Sequence, residues 1–392
     1  MDPIASVIDG NMCTGCGLCA EAEGMKMNSE GFLRPVRWVT DRRIQACCPG
    51  LQVDHGNREA DYHPAWGPIL SCETAFSTDP AIRQAGSSGG VITALATHLL
   101  RTGQVDEVIQ IGASPTEPLR NRTFRHDDPG QALRHAGSRY APSAPLEHIR
   151  SLLGNGRKYL FIGKPCDTAA LRALMNSDPA ARKQFPVLLS FMCAGVPSEQ
   201  ATHDILARFD VQPGEVSEFR YRGNGWPGLT RITTDSGQEH TLTYNESWGT
   251  ILNKKLQPRC KVCADGIGEA ADIVCADAWH ASDKGYPSFE EQDGRSLMLV
   301  RTAAGRQLVQ TALQAGAIAS QPYPVDEIAT IQPYQLNRKR TSLARSAAVR
   351  LTGGHVPRFK GYQLLGNAAG AGLRNNLKTF LGTVKRRMSG RL

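Results

Sequence analysis

The chain has 392 residues, of which 41% are hydrophobic and 21% are charged, and this is enough for two or three domains with hydrophobic cores. Its eleven cysteines indicate metal or redox chemistry rather than a disulfide framework. The sequence shows neither a secretion signal nor an apolar stretch of about 18 residues, so it argues against a secreted or membrane-spanning protein and predicts a cytoplasmic one.

The net charge of +8 is concentrated at the carboxyl end of the chain. After Glu327 the sequence contains 13 Lys and Arg residues and no Asp or Glu, so the rest of the chain is net negative. The basic balance is therefore a property of the tail, and it gives no reason to expect nucleic acid as a partner of the main body.

Three cysteines at two-residue spacing lie near the start of the chain, in Cys13-Thr14-Gly15-Cys16-Gly17-Leu18-Cys19. This spacing is typical of 4Fe-4S ferredoxins, in which a further Cys followed by Pro completes the set. Cys48 precedes Pro49 and is the predicted fourth ligand, with Cys47 as the alternative. A zinc knot or a disulfide framework fits less well, because zinc sites usually use two separated pairs of ligands. We therefore predict a 4Fe-4S cluster on Cys13, Cys16, Cys19 and Cys48.

A loop of small residues, Gly86-Ser87-Ser88-Gly89-Gly90, precedes a helical pattern over residues 91–100 and a strand pattern over residues 105–111. A glycine-rich turn at a helix N-terminus presents free N–H groups and the positive end of the helix dipole, so it suits a phosphate group. A simple Ser/Gly helix cap would give the same pattern.

Upstream, we predict a connector over residues 61–80 in which the lone Cys72 is a small buried residue.

The turn Gly137-Ser138-Arg139-Tyr140 combines a cation with an aromatic ring. It is compatible with a nucleotide site and equally with a solvated loop.

Two strand–loop–helix units follow, and each carries a cysteine just after its strand. The first strand pattern ends at Gly163 and is followed by Lys164-Pro165-Cys166, and the second ends at Met192 and is followed by Cys193. Because open α/β sheets bind ligands at the carboxyl ends of their strands, we expect both cysteines on one rim of a sheet.

Residues 216–247 alternate between apolar and polar types, which predicts a β-meander. The loop Arg222-Gly223-Asn224-Gly225-Trp226-Pro227-Gly228 places three glycines around an indole. Either a flat ring system stacks there or the segment is a plain turn.

A second cysteine group consists of Cys260 and Cys263, with Cys275 in a strand pattern over residues 272–279. Alone, this group also fits a zinc site or a redox dithiol. With the two cysteines at the strand ends, however, four thiolates can converge. We predict a second 4Fe-4S cluster on Cys166, Cys193, Cys260 and Cys263, with Cys275 as an alternative ligand.

After a strand and helix over residues 297–302 and 306–315, the chain ends in a basic amphipathic helix over residues 373–388. Its charge and apolar stripe predict contact with an anionic surface, either a membrane or an acidic partner, and a solvated or domain-packed helix is the alternative. The stripe contains Leu373, Leu377, Phe380, Leu381, Val384 and Met388.

In this order, the motifs resemble those of the coenzyme F-420 hydrogenase/dehydrogenase beta-subunit family, which includes 7-hydroxymethyl chlorophyll a reductase. The resemblance covers roughly residues 5–325. It rests on the first cysteine motif with Cys48-Pro49, on Ser87-Ser88-Gly89-Gly90-Val91, Gly163-Lys164-Pro165-Cys166, residues 191–198 and 222–228, Arg259-Cys260-Lys261-Val262-Cys263, Ala271-Asp272-Ile273 and Asp277-Ala278-Trp279.

The resemblance implies two 4Fe-4S clusters and a flavin, most simply FAD. It implies that Ser88, Gly89 and Gly90 meet the FAD phosphates, and that the second cluster lies beside the flavin. The family usually has Gly at the position of Cys275, which leaves that residue as a neutral change or an alternative ligand. The full set expected at the flavin is Ser87, Ser88, Gly89, Gly90, Ser138, Arg139, Tyr140, Gly163, Lys164, Asn224 and Gly225.

The expected fold is mixed α/β, with a ferredoxin-like 4Fe-4S segment followed by a flavin-binding α/β core that contains a β-meander insertion. We place the ferredoxin-like segment at residues 1–60 and the N-terminal part of the flavin-binding core at 61–150. The C-terminal core with the second cysteine group occupies 151–330, and the basic tail occupies 331–392.

The first functional hypothesis is an iron–sulfur flavoprotein oxidoreductase that relays electrons between a one-electron carrier, such as a ferredoxin, and a two-electron substrate. The second is a non-catalytic subunit that docks on a separate catalytic partner, and a zinc-stapled binding protein is a weaker third. The motifs leave open whether the donor is coenzyme F-420, a ferredoxin or a nicotinamide. Candidates for a proton donor are Asp277, His280 and Lys164.

Overall fold

The structure is a computed structural model that describes residues 2–56, 59–280, 288, 290–390 and 392. Within these residues, no helix combines the length and the apolar character needed to cross a bilayer.

The strands are β1 Met25–Met27, β2 Leu33–Pro35, β3 Gln52–Asp54, β4 Tyr62–His63, β5 Gly67–Pro68, β6 Ser71–Ser77, β7 Glu107–Ala113, β8 Asn121–His126, β9 Tyr159–Gly163, β10 Val187–Phe191, β11 Val216–Arg220, β12 Thr230–Thr234, β13 Glu239–Leu242, β14 Ile273–Asp277, β15 Ser296–Val300, β16 Ile318–Pro322 and β17 Arg358–Lys360.

The α-helices are α1 Pro3–Asp9, α2 Arg42–Ala46, α3 Pro80–Ala85, α4 Val91–Arg101, α5 Pro129–Arg134, α6 Ile149–Leu152, α7 Pro165–Ser177, α8 Pro179–Gln184, α9 Glu199–Ala207, α10 Pro258–Lys261, α11 Ala303–Gln314, α12 Ile328–Ile331, α13 Pro333–Arg340, α14 Ser342–Leu351, α15 Leu364–Ala371 and α16 Leu373–Met388. Single tighter or wider helical turns occur at Pro213–Glu215, Asn245–Gly249, Leu252–Lys255 and Val325–Glu327.

An eight-stranded mixed sheet organises the main body, with the strand order β16-β6-β15-β14-β10-β9-β7-β8. The four central strands β14, β10, β9 and β7 run parallel, and the flanking strands pair antiparallel. One face of the sheet packs on α4 and α11. The other face packs on α7 and, through Leu18 and Ile44, on the N-terminal segment. The mixed α/β class predicted from the sequence is confirmed.

The predicted connector over residues 61–80 is wrong in part, because it contains β6, which lies between β15 and β16 in the main sheet. Cys72 belongs to this strand and is 8% exposed, as expected for a small buried residue. The sequence pattern does not predict this strand, because Ser71, Glu73 and Ser77 interrupt its apolar residues.

The predicted rim is present. Strands β9 and β10 are adjacent and parallel, so their carboxyl ends meet at one edge of the sheet. Cys166 lies in the first turn of α7 directly after β9, and Cys193 lies two residues after β10.

The β-meander is also confirmed as the antiparallel sheet β11-β12-β13, which has its own core against α9.

The C-terminal segment is integrated with the N-terminal one. Strand β17 pairs in parallel with β3, so Phe359 lies opposite Val53. Val349 of α14 shares a small core with Val7 and Met12. The two ends of the chain therefore form one packed unit on the side of the sheet that carries α7.

Candidate functional site

The first thiol group is formed by Cys13, Cys16, Cys19 and Cys48. The loop that carries the first three turns sharply, since Gly15 and Gly17 adopt positive φ angles of 76° and 87°. Burial raises the pKa of Cys19, and the charges of the other three thiols, which lie close by, raise it further.

Cys47 does not belong to this group. Its Sγ donates to the Arg43 carbonyl oxygen at 3.2 Å, and burial raises its pKa to about 11 without a contribution from the other cysteines. Burial raises the pKa of the neighbouring Cys48 to about 12, and the charges of Cys16 and Cys13 add to this rise. The structure therefore places Cys48, rather than Cys47, beside the cysteine loop.

The second thiol group lines a small cavity, and the sulfurs come from three separate parts of the chain. Cys166 belongs to α7, Cys193 follows β10, and Cys260 and Cys263 lie in and just after α10. Cys275 is absent from this cavity: it lies within β14 and lines a larger cavity instead. The four cysteines predicted for the second cluster are thus brought together.

Two buried arginines flank the second thiol group. Arg338 of α13 donates to the carbonyl oxygens of Cys193 at 2.8 Å and Cys260 at 2.6 Å. Arg259 donates to the carbonyl oxygen of Pro49 at 3.1 Å, so it connects this group to the chain beside Cys48. Positive charges at this position compensate the negative charge that thiolate ligands bring to a metal site.

The donor sets of the two thiol groups fit iron–sulfur clusters, since each group consists of four cysteines. Burial raises the pKa of Cys16 and Cys193 to about 12, so the ligands ionise only when a metal displaces their protons. Among the described residues, no three His, Cys, Asp or Glu side chains surround a point that one ion could occupy. A 4Fe-4S cluster does not require such a point, because each thiolate binds a different iron.

A larger cavity of about 520 Å³ opens at the carboxyl ends of the parallel strands. This volume lies in the range of cofactor and ligand sites. Three of the residues expected at the flavin, namely Gly89, Asn224 and Gly225, do not line it. The other expected residues do: Ser87, Ser88, Gly90, Ser138, Arg139, Tyr140, Gly163 and Lys164.

One end of the cavity is shaped for an anion. Helix α4 begins there without a side-chain cap, after Gly90 in the left-handed region at φ 73°. The Ser87 and Ser138 hydroxyls lie 2.6 Å apart at the same end. Gly89 has a different role, since a Cβ on it would lie 2.6 Å from the Ala75 carbonyl oxygen, and the glycine allows the loop to pack on β6.

The charged side chains on the cavity wall are paired with protein groups. Lys164 forms a buried ion pair with Asp167, with Nζ 2.7 Å from Oδ2. Arg139 donates through all three nitrogens, to the Asn121 side chain and to the carbonyl oxygens of Pro118, Phe219 and Arg120. Lys164 and Arg139 therefore both use N–H donors on groups of the protein itself.

Asp277 is held by the loop of residues 222–228. Arg222 pairs with both of its oxygens at 2.9 and 3.0 Å, and the indole Nε1 of Trp226 donates to Oδ1 at 2.8 Å. The ring that stacks on Trp226 is Trp279 of the same chain, at 4.9 Å and 8°. The loop thus supports the wall of the cavity, and His280, the third proton-donor candidate, does not line it.

Sequence reasoning missed several residues on the cavity wall. Trp248 is one of them, and it forms an aromatic pair with the predicted Tyr140, with ring centroids 4.8 Å apart. His135 stacks on Phe124, and burial together with His126 lowers the pKa of His135 to about 4, so its imidazole is neutral near pH 7. These positions carry no local motif, and only the packing of separate loops brings them together.

The three sites adjoin one another. Thr14, from the cysteine loop of the first group, lines the small cavity of the second group. Cys193 and Val196 line both the small cavity and the large one. The first thiol group, the second thiol group and the large cavity therefore follow one another through the protein.

Comparisons with known proteins identify related chains. The model of the N-terminal part of the coenzyme F420 hydrogenase/dehydrogenase beta subunit matches residues 72–150, and that of its C terminus matches residues 156–325. The chain is 24% identical over 269 residues to the coenzyme F420 hydrogenase subunit beta of Methanosarcina barkeri, which covers 66% of this chain and 84% of that protein.

Two further relatives are named for other reactions. The F420-dependent formate dehydrogenase 1 subunit beta of Methanococcus maripaludis is 26% identical over 253 residues, 62% of this chain and 59% of that protein. The coenzyme F420-dependent sulfite reductase of Methanocaldococcus jannaschii is 23% identical over 238 residues, 57% of this chain and 34% of that protein.

Among solved structures, a chain of the F420-reducing NiFe hydrogenase complex from Methanosarcina barkeri superposes with a TM-score of 0.58 at 20% identity. The match covers 76% of this chain and 98% of that chain, and it shows a shared fold. Since the two family models together span more than half of its residues, the chain belongs to the coenzyme F420 hydrogenase/dehydrogenase beta-subunit family, whose members are oxidoreductase subunits.

Proposed function

We propose that this protein is an iron–sulfur flavoprotein oxidoreductase that relays electrons between a one-electron carrier, such as a ferredoxin-like protein, and a two-electron substrate or coenzyme. The observation that carries the proposal is the continuous row of sites, in which Thr14 joins the first thiol group to the second and Cys193 joins the second to the large cavity. Single-electron and paired-electron chemistry need adjacent sites of this kind.

The two thiol groups would each hold one 4Fe-4S cluster. The buried guanidinium groups of Arg259 and Arg338 offset the negative charge of the ligands at the second group. Apolar residues that include Leu18 and Ile44 pack beside Cys16 and the half-buried Cys19 of the first group.

The large cavity would hold FAD, which when bound exchanges electrons singly with a cluster and in pairs with a substrate. The free N–H groups at the start of α4 and the hydroxyls of Ser87 and Ser138 would bind its phosphates. Tyr140 and Trp248 offer an apolar aromatic wall for its flat ring. The Arg222–Asp277 ion pair fixes the loop beneath that wall.

We further propose that the two-electron partner is coenzyme F420. The three named relatives differ in the reaction that their names describe, yet all three names include this coenzyme. The shared feature supports a common coenzyme and leaves the final acceptor of this chain to experiment.

A second candidate is an electron-transfer subunit that acts only with a separate catalytic partner. It is favoured by the fold shared with a chain of a multi-subunit hydrogenase complex. In this case the large cavity still binds the flavin and the coenzyme, and the second substrate is bound by the partner subunit.

The experiment is anaerobic purification of the chain alone, followed by iron, sulfide and flavin analysis and a screen of donors. We expect about eight irons per chain and one FAD. Reduced F420 should bleach the flavin absorbance, and reduced ferredoxin should do so through the clusters, whereas NADPH should not. A colourless protein that contains zinc would refute the proposal, and turnover that requires an added subunit would favour the second candidate.

A further inference from the structure

Helix α16 exposes four of the six residues of its apolar stripe to solvent. Leu373 and Met388, at the two ends of the helix, are 85% and 81% exposed, and Leu377 and Leu381 between them are 54% and 57% exposed. Spaced at helical intervals, these four residues lie on one side of the helix. A helix of a globular protein normally turns such a stripe to the core.

The side of α16 that packs on the protein makes polar contacts, beside the half-buried Phe380 and Val384. Thr383 is buried, and Asn376 donates to the carbonyl oxygen of Ala368 at 2.6 Å. Arg387 reaches Thr352, which follows α14. Because the polar side anchors the helix, its exposed stripe is not the result of poor packing at the chain end.

A row of cations borders the stripe. Arg374, Lys378 and Lys385 are exposed, and at about 100° per residue they follow one flank of the apolar residues along the helix. The chain has no Asp or Glu after Glu327, so no acidic residue of this segment neutralises them. Leu351, at the end of α14 near Arg387, adds another exposed apolar side chain at 74%.

We propose that α16 lies in the surface of an anionic lipid bilayer, with its leucines between the head groups and its cations at the level of the phosphates. An apolar stripe with flanking Lys and Arg is what an interfacial helix requires, since long basic side chains reach the phosphates while the stripe inserts. A second copy of this chain is disfavoured as the occupant, because it would bring two acid-free cationic faces together.

The proposal is independent of the proposed redox function. The family models end at residue 325, and α16 begins at Leu373, so nothing in the family match describes this surface.

The test is flotation of the purified full-length holoprotein with vesicles of phosphatidylcholine alone and of phosphatidylcholine mixed with phosphatidylglycerol. We expect binding to the mixed vesicles only, weakened by added salt. The variant Leu373→Gln/Leu377→Gln/Leu381→Gln should lose binding. The variant Arg374→Gln/Lys378→Gln/Lys385→Gln should bind on the order of 100-fold more weakly.

A matched control is Arg358→Gln/Lys360→Gln, which removes two exposed cations of β17 in the same acid-free segment and should bind nearly as well as the wild type. Unchanged iron content and melting temperature show that each variant is folded. The proposal fails if the wild-type protein does not float, or if the leucine variant floats as well as the wild type. It also fails if light scattering finds a dimer that the leucine changes dissociate.

Discussion

Adjacent cysteines in this chain have opposite environments. Cys47 donates to the Arg43 carbonyl oxygen within its own helical turn, whereas Cys48 lies with Cys13, Cys16 and Cys19. One residue of offset thus separates a thiol that packs against its own helix from one that lies beside the cysteine loop. The sequence could indicate the choice only through Pro49, because it does not show which way a thiol points.

This difference allows a matched pair of variants. We expect Cys48→Ser to reduce the iron content from about eight to about four per chain, because the first cluster loses a ligand. Cys47→Ser should keep all of its iron. Iron and sulfide analysis after anaerobic purification measures both, and equal iron in the two variants would refute the assignment of Cys48.

At the scale of elements, the sequence predicted what local pattern determines. The strands that precede Cys166 and Cys193, the small-residue loop before α4 and the meander all form as expected. The sequence could not predict which distant elements pair. Strand β6 lies between two other strands of the main sheet although its residues have mixed polarity. Arg338 contacts the second thiol group from a segment that the pattern described only as basic.

The loop that enters α4 gives a second prediction. A Cβ at Gly90 would lie 2.7 Å from the Ile82 carbonyl oxygen, in addition to the left-handed φ angle. We expect Gly90→Ala to displace the loop from the cavity and to release most of the FAD, while the iron content stays the same. Flavin absorbance after gel filtration gives the measurement.

Gly103, at the far end of the same helix, provides the control. It also has a positive φ of 65°, but a Cβ there meets nothing within 4 Å. Gly103→Ala should therefore cost only the left-handed strain, about 1–2 kcal/mol of stability, and should keep its FAD. If both variants retain the flavin equally, the loop does not bind it.

Helix α13 is pinned by a buried ion pair, which gives a third prediction. Lys339 Nζ lies 2.5 Å from Glu269 Oε1, and both side chains are at most 2% exposed. Lys339→Met should destabilise the protein by about 3–5 kcal/mol, because it leaves a buried carboxylate unpaired. Lys339→Met/Glu269→Gln should recover most of this loss. Thermal unfolding of the apoprotein measures both, and an additive loss in the double variant would contradict the explanation.

At the scale of the whole molecule, the sites form a sequence from the N-terminal segment to the sheet edge. Thr14 connects the first thiol group to the second, and Cys193 connects the second to the large cavity. Under the proposed function, this order predicts that single electrons from a protein donor pass through both thiol groups before they reach the flavin.

The fourth prediction tests that order. In stopped-flow reduction by a reduced ferredoxin, the wild-type clusters should bleach before the flavin. Cys16→Ser should keep its FAD but slow flavin reduction by this donor at least tenfold, while reduction by F420 stays the same. Cys72→Ser, a buried thiol outside both groups, is the control. The same ferredoxin rate in wild type and Cys16→Ser would show that the first site is not on the route.

The pairing of β3 with β17 also bears on how the protein is made. Asp54 lies opposite Lys360, so the N-terminal segment gains this neighbour only after roughly 300 more residues have left the ribosome. At about 5–20 residues per second, the delay is on the order of 15–60 s. During this time the thiols of residues 13–48 lack β17, and for about the first 200 residues of the wait they also lack Arg259, so they remain open to oxidants. We therefore expect the first site to be filled after synthesis ends, and to depend on a reducing, iron-supplying environment during the wait.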